Sequence, residues 1–591
     1  MDDRTGETEV KARWPFVLAI GVYGVLSLVQ NLPAWLHGPS HTLIAGGGGD
    51  PAQQVWFLAW TAHAITHFNN PLLSNWANVP TGLNLAGNTS MPFAGLVGTP
   101  ITLLFGPITT FNVLSSLAFF TSATATLFAA RRWTTWLPAA FVAGLIFGFS
   151  PFMVAHGLGH LFLYFAPAIP LLLIVLDETL VRQRWNWWLT GSALGILILA
   201  ELGISLELLT VSVILGVVAA GILAIARRNE LRAKAPYALK VLSLGILLAL
   251  PISAWYFATF LFGPGHVKGP IHSINALSHL SIDIASLVAP TSNEAITFGV
   301  NTWSDPLIHL ATKGAYVGVL AESSAYIGIP LLVLLFGGLI AFWRRPAIRF
   351  FGVMAGICLV ISMGVHLRVA NHDTGIPLPF SIFSRLPLLN NLIAIRWTLF
   401  LWLFIAIVTA VILDLVHDQV SAHHLGRPVL VGTSIVAILG IVALIPMWPG
   451  NVRQMMTPAW FSTSGPSTIP EGSTLLTFPI GANNYSLPMM WQAEAGMRWK
   501  IPLGEGGKAT SHLGPAGQAL MMCFNDPTLS EPPKELLTPA LAEMRIWQVD
   551  TIVVTAQSTN NDACALKFLT TLTGRPPTRE SDVFIWRNLN L

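Results

Sequence analysis

Charged side chains are scarce in this chain. Its 591 residues include 31 Lys and Arg and 28 Asp and Glu, 10% of the total, where an ordinary soluble domain carries roughly 25%. Hydrophobic residues make up 53%, and the mean hydropathy is +0.63. So few charges cannot cover so much apolar surface in water, which excludes a soluble globule; a bilayer accepts that surface directly. Segments of about ten alternating residues are missing too, which excludes an outer-membrane barrel. Continuous apolar runs of about 17–25 residues recur instead, the length of a membrane-spanning helix. Neither sign of charge is in large excess: the formal net charge of +3 gives no electrostatic footprint for nucleic acid. Cysteines are too few for a disulfide framework. Of the three, Cys358 lies in an apolar run, which leaves Cys523 and Cys564 as the plausible pair. No repeat of fixed period is present.

The apolar segments fall at about 15–36, 108–130, 134–149, 161–178, 187–204, 206–226, 241–262, 326–343, 350–367, 395–416 and 429–448. They predict about eleven crossings. The first follows charged residues and has no small-residue cleavage site after it, so it reads as an anchor and not a removable signal peptide. Lys and Arg then set the orientation. Arg4, Lys11 and Arg13, the pairs Arg131/Arg132 and Arg182/Arg184, the cluster from Arg227 to Lys240, Arg344, Arg345, Arg349 and Arg427 all fall on one side. By the positive-inside rule that side is cytoplasmic, and an odd number of crossings places the C-terminus outside. The expected location is the plasma membrane.

Residues 91–105 are also apolar, but the run is short, contains Gly95, Gly98 and Pro100, and ends at Gly106-Pro107. It reads as a helix lying on, or dipping into, the outer leaflet. A second surface helix is expected at about 53–68, where Val55, Trp56, Leu58, Ala59, Ala62, Ile65 and Thr66 recur near helical spacing between Gln and His positions. Both belong to the first outer loop, 37–107; another large outer loop covers 263–325. From Pro449 to Gly472 the composition shifts to Pro, Gly and Ser, so residues 1–448 read as the transmembrane domain and 449–591 as a small extracytoplasmic α/β domain. In that tail, β-rich runs at 474–480, 551–556 and 583–586 alternate with helical patterns near 533–548 and 563–573, the latter stopped by Gly574.

Between Trp14 and Ala130 one side chain is formally charged, Asp50, between Gly46-Gly47-Gly48-Gly49 and Pro51. It reads either as a helix N-cap with Pro following or as a functional carboxylate at the outer surface. The four glycines lack the Lys-Ser/Thr of a phosphate loop. Glu201 and Glu207 flank the turn between the fifth and sixth segments on the same outer side, where an acid needs a cavity or a partner. Asp177 and Glu178 precede Arg182 and Arg184 at the cytoplasmic end and read as ordinary end charges. His156 and His160, four apart on an outer loop, would share a face if helical; without a third ligand they make no complete metal site, and cavity hydrogen bonding is the better reading. The sequence names no cofactor with certainty; a divalent metal stays open, without a complete ligand set to support it. The 21 Trp suit interfacial belts first and sugar stacking second.

The layout of one span, an outer loop with an early acid, two juxtamembrane helices, then a long series of spans and an outer tail resembles the GT-C superfamily of integral-membrane glycosyltransferases. The local match is Gly49-Asp50-Pro51, Trp56 and Trp60, the stretch Asn84–Ser90, and Phe105-Gly106-Pro107. Arg385-Leu386-Pro387 with Arg396-Trp397, Trp491-Gln492-Ala493 and Gly574-Arg575-Pro576-Pro577 resemble a poorly characterised actinobacterial branch. The resemblance implies an α-helical polytopic, GT-C-like membrane protein that uses a polyprenyl-phosphate sugar as donor and an envelope glycan or lipid as acceptor, among membrane lipids and without nucleic acid. It makes Asp50 the candidate base. Arg396, at the start of the tenth span, becomes the candidate for the donor phosphate, with snorkelling at the interface as the alternative. Arg385 and His160 are further phosphate candidates, Arg368, Lys268 and Lys313 weaker ones. Glu201, Glu207 and His156 would line or support the cavity, the family carrying an acid in the Ser-x-Glu context of Glu207. Asp283, Glu294, Asp305 and Glu322 read as solvated loop charges. A transporter or flippase of lipid-linked sugars and a non-enzymatic envelope assembly protein are the competing readings. The charged candidates cluster on the outer side, where a transporter would place them at mid-membrane.

Overall fold

The structure, a computed structural model, describes all residues except 1–3, 45–48, 272, 301–324, 449–451, 455–456, 482–485, 505–512, 557–560 and 590–591. Lys313, Asp305 and Glu322 lie outside the described residues, as do Gly46, Gly47 and Gly48. The chain divides into two compact units.

The first unit takes residues 1–33, 115–251 and 269–450 and is built mainly of helices, with one antiparallel strand pair, His366–Val369 and His372–Pro377. Each of the apolar segments read from the sequence contains a helix. Among the described residues, seven helical stretches are long and apolar enough to cross a membrane: Trp14–Leu36, Pro107–Ala130, Leu137–His156, Leu161–Arg182, Leu206–Ala226, Arg232–Phe262 and Ala394–Ser421. The apolar helices Trp187–Leu202, Ile329–Phe342, Pro346–Ser362 and Arg427–Ala443 are shorter, as is Pro92–Phe105 in the second unit. Leu18, Val217, Ile225 and Ile340 are exposed, as side chains facing lipid would be. By contrast Trp397–Ser421 is buried along almost all of its length and packs against Leu137–Gly148 and Pro346–Ser362. Ile329–Phe342 also approaches it closely: a Cβ on Gly338 would meet the Ile412 side chain. Tyr23 ties the first helix to the third span by donating to the Phe141 carbonyl at 2.7 Å.

Asp177 and Glu178 depart from the end-charge reading. Both are buried. Asp177 accepts from Arg132 Nε at 2.6 Å and Arg182 Nε at 2.7 Å, and Glu178 from Arg132 Nη2 at 2.5 Å. Asp283 and Glu294 depart from the solvated-loop reading for the same reason. Asp283 accepts the backbone N–H groups of Ala285, Ala370 and Asn371 at 2.6–3.0 Å, and Glu294 Oε2 accepts the Thr291 N–H and hydroxyl at 2.6 and 2.8 Å. Each acid replaces its lost hydration with fixed donors.

The second unit gathers residues 34–114, 252–268 and 451–591. Its sheet runs in the order Thr474–Phe478, Val549–Thr555, Val583–Trp586, Thr578–Glu580; the first pair is parallel and the others antiparallel. Leu476, Phe478, Ile552, Val554 and Trp586 pack with Leu520, Met544, Phe568 and Leu569 in one core. Asn561 caps the helix Asp562–Thr573 by accepting from Cys564 N–H, and Gly574 ends it in the left-handed conformation at φ +68. Cys523 and Cys564 form a disulfide across Cα atoms 5.5 Å apart, joining Pro515–Asn525 to Asp562–Thr573. Cys358 is free and buried. Thr42–Ile44 pairs with Val452–Gln454.

Candidate functional site

Asp50 is the first residue of the helix Asp50–Thr66; the N-cap is Gly49, so the aspartate stands one position inside the helix and Pro51 follows it. Its side chain is exposed. The N-terminal end of a helix carries partial positive charge from unpaired N–H groups, which favours a carboxylate there. Behind it the helix is enclosed. Every residue from Pro51 to Ala62 is buried, Gln53 and Gln54 included, so the one-sided pattern read at 53–68 becomes a helix packed on several faces. Gly95 of Pro92–Phe105 lies against Thr61, where a Cβ would stand 2.5 Å from the Thr61 Cβ. Trp56 and Trp60 stack with centroids 6.0 Å apart. The Trp56 indole N–H donates to Gln492 Oε1 at 2.5 Å, and that of Trp60 to the Pro71 carbonyl at 3.1 Å. Toward the helix end, burial and the neighbouring His67 push His63 down to about 4. The approach to Asp50 is fastened as well: buried Asn112 donates to the carbonyls of Pro39 and Thr42 at 2.9 and 2.8 Å.

The other described candidates, Lys268 apart, belong to the first unit. Arg396 is the N-cap residue of Trp397–Ser421 and only 5% exposed. Its Nε donates to Glu207 Oε2 at 3.2 Å, while Glu207 Oε1 accepts the Ile393 N–H at 2.8 Å. Glu207 lies in the first turn of Leu206–Ala226, whose N-cap Ser205 accepts from the Leu208 N–H. The structure thus brings together Glu207 and Arg396, two residues named separately from sequence. Glu201, at the other side of the same turn, is fully buried, and neither carboxylate oxygen has a hydrogen-bond partner among the described residues.

His156 ends the short helix Pro151–His156 and His160 precedes Leu161–Tyr164, so they do not share one helix. The intervening turn still brings their Nδ1 atoms to 3.3 Å. Among the described residues no group of three or more His, Cys, Asp or Glu is placed to hold a metal. Arg385 and Lys268 are exposed. Arg368 is buried and donates to the Ser278 carbonyl and to Asn371.

Sequence reading did not find the side-chain amide of Gln492 as a contact of Trp56. The signal was a single amide in the otherwise apolar run Leu487–Ala493. It also passed over Glu494, half-buried and accepting from the Thr457 hydroxyl at 2.7 Å, whose burial raises its carboxyl to about 7.

Several solved structures resemble this one, three of them as follows. The arabinofuranosyltransferase AftD from Mycobacteria matches at 14% identity with a TM-score of 0.52, covering 98% of this chain and 40% of that chain. The chain has the GT-C fold. It spans 40% of the AftD chain, and at 14% identity the likeness is one of fold. The Archaeoglobus fulgidus oligosaccharyltransferase in its apo form matches at 12% identity and a TM-score of 0.49, over 93% of this chain and 70% of that one. ArnT from Cupriavidus metallidurans, bound to undecaprenyl phosphate, matches at 14% and 0.43, over 96% and 98%. No family model and no curated protein matches the chain.

Proposed function

We propose that this GT-C-fold protein is an inverting glycosyltransferase of the plasma membrane, moving a sugar from a polyprenyl-phosphate donor to an envelope glycan or lipid acceptor at the outer face. The observation that carries the reading is the fold shared with AftD along 98% of the chain. An exposed carboxylate at the start of an otherwise buried helix supports it, because that is a fixed position for a base that must meet substrate. The disulfide in the tail suits an extracytoplasmic compartment, where such bonds persist. The Lys and Arg clusters read from the sequence suit a cytoplasmic N-terminus.

In the proposed reaction Asp50 takes the proton of an acceptor hydroxyl as its oxygen attacks the anomeric carbon. The bond from that carbon to the phosphate oxygen breaks, and the phosphate leaves with the electron pair. Attack opposite the leaving group inverts the anomeric centre in one displacement. The leaving phosphate needs a cation, and Arg396, oriented by Glu207, is proposed for it. Arg385 and His160 remain secondary proposals for the phosphate, and Glu201 and His156 for the cavity wall.

The test is transfer by the purified full chain in lipid, with a panel of radiolabelled polyprenyl-phosphate sugars and envelope acceptors. The expected result is labelled acceptor with inverted anomeric configuration from one donor class. Labelled lipid crossing the bilayer, with no transfer to any acceptor, would replace the reading with that of a flippase.

A further inference from the structure

The buried amide of Gln492 has all its principal hydrogen-bonding groups engaged. Its Oε1 accepts from the Trp56 indole N–H, and its Nε2 donates to the carbonyls of Trp76, at 2.9 Å, and of Trp499. The two carbonyls set the orientation, because turning the amide over would oppose oxygen to oxygen and nitrogen to the indole N–H. Gln492 and Trp499 are fully buried, as is Trp56. The amide therefore joins three stretches of chain: the helix that begins at Asp50, the loop after it, and the tail.

The neighbouring backbone reinforces the junction. The Trp76 carbonyl also accepts the Ile501 N–H at 2.9 Å, and Ala77 and Ile501 form a parallel bridge. On the other side of Trp499, Lys500 donates its N–H to the Ser473 carbonyl at 2.8 Å, at the edge of the four-stranded sheet. A continuous line of hydrogen bonds thus runs from the sheet of the tail through Gln492 to Trp56. Trp56 lies six residues into the helix from Asp50, about 9 Å at 1.5 Å per residue.

We infer that Gln492 is a positioning residue for Asp50, and that the tail serves to hold the Asp50 helix at a fixed place and angle. The inference rests on the reading of Asp50 as the base only in its kinetic consequence; the clamp itself is a structural statement that is tested separately. A small displacement of a general base from its acceptor proton slows the chemical step with little effect on donor binding, so the clamp acts on kcat.

The test uses the full chain in lipid with three variants. Gln492→Glu keeps the shape but sets a carboxylate against two carbonyls. Gln492→Met removes all three bonds, and Trp56→Phe removes one. Hydrogen–deuterium exchange is followed across 50–66 and, as an internal control, across 397–421; transfer is measured beside it as kcat and KM for the donor. The expected result is exchange across 50–66 at least 10-fold faster in either Gln492 variant, with 397–421 unchanged. With it, kcat falls about 10- to 100-fold at constant KM, and Trp56→Phe falls between these variants and the wild type in both readouts. Unchanged exchange across 50–66 in folded variants would overturn the clamp. Faster exchange with unchanged kcat would overturn the positioning role. If the wild type transfers no sugar, the proposed function fails while the exchange result still decides the clamp. If both Gln492 variants fail to fold, Trp56→Phe carries the same two readouts.

Discussion

Two helices, Asp50–Thr66 and Trp397–Ser421, are both buried along most of their length, and each starts beside one of the charged residues singled out from the sequence. Their starts have opposite electrostatics. A helix N-terminus carries about half a positive charge, so a carboxylate is favoured there and a cation is not. Arg396 stands at the unfavourable position and is almost fully buried, and Glu207, itself in the first turn of its own helix, supplies the negative charge at 3.2 Å. Asp50 stands at the favourable position and is exposed. Glu207 is thus engaged with Arg396, whereas Asp50 stands exposed at the start of its helix, as the proposed base must.

The largest effect on stability is expected where the charge is buried. Arg396→Met leaves Glu207 without its cation and should cost about 3–5 kcal/mol, read as a shift in denaturation in detergent. Adding Glu207→Leu should recover part of that loss, since the pair is then removed as a unit. A double variant no more stable than Arg396→Met would show that the two groups do not depend on each other.

Glu494 is intermediate between the two. Its carboxyl titrates at about 7 in the folded chain against 4.5 for the free group, because burial penalises the charge and the Thr457 hydroxyl offsets this only in part. The folded state therefore holds its proton more tightly than the unfolded state. Stability should be greatest below about 4.5, fall as the pH rises to about 7, and level off above it. Glu494→Gln should flatten that decline and stabilise the chain by about 2–3 kcal/mol at pH 8. An unchanged pH dependence in Glu494→Gln would assign the decline to other groups.

The smallest effect on stability belongs to Asp50. Asp50→Asn weakens the favourable interaction of a charge with the helix end, about 0.3–1 kcal/mol. A loss of several kcal/mol would make Asp50 a structural acid like Glu207 and erase the contrast between the two helices.

Features encoded by neighbours in sequence were legible, and features that depend on distant partners were not. Gly574 ends a helix where the sequence placed its stop, because local capping chemistry sets that limit. Cys523 and Cys564 were paired by the exclusion of Cys358 alone. Asp50 stood out because the surrounding sequence carries no other charge. The burial of Gln53 and Gln54 was hidden, because periodicity reports a buried face only when the opposite face meets solvent or lipid. That helix is instead covered by Gln492 and its neighbours, 436 residues from Trp56 in sequence. The partnership of Glu207 with Arg396 spans 189 residues and was hidden for the same reason; each residue was visible as an expensive charge, its partner was not. Asp177 and Glu178 were misread because charges near the end of an apolar run look alike whether they face water or Arg132.

Asp50 is proposed as a base and not a brace. That role is tested most directly by single-turnover transfer with Asp50→Asn beside the wild type, in lipid and at matched folded fraction. The expected result is a loss of about 10²- to 10⁴-fold in the chemical step with donor binding retained. An Asn variant that transfers sugar within a few fold of the wild type would contradict it.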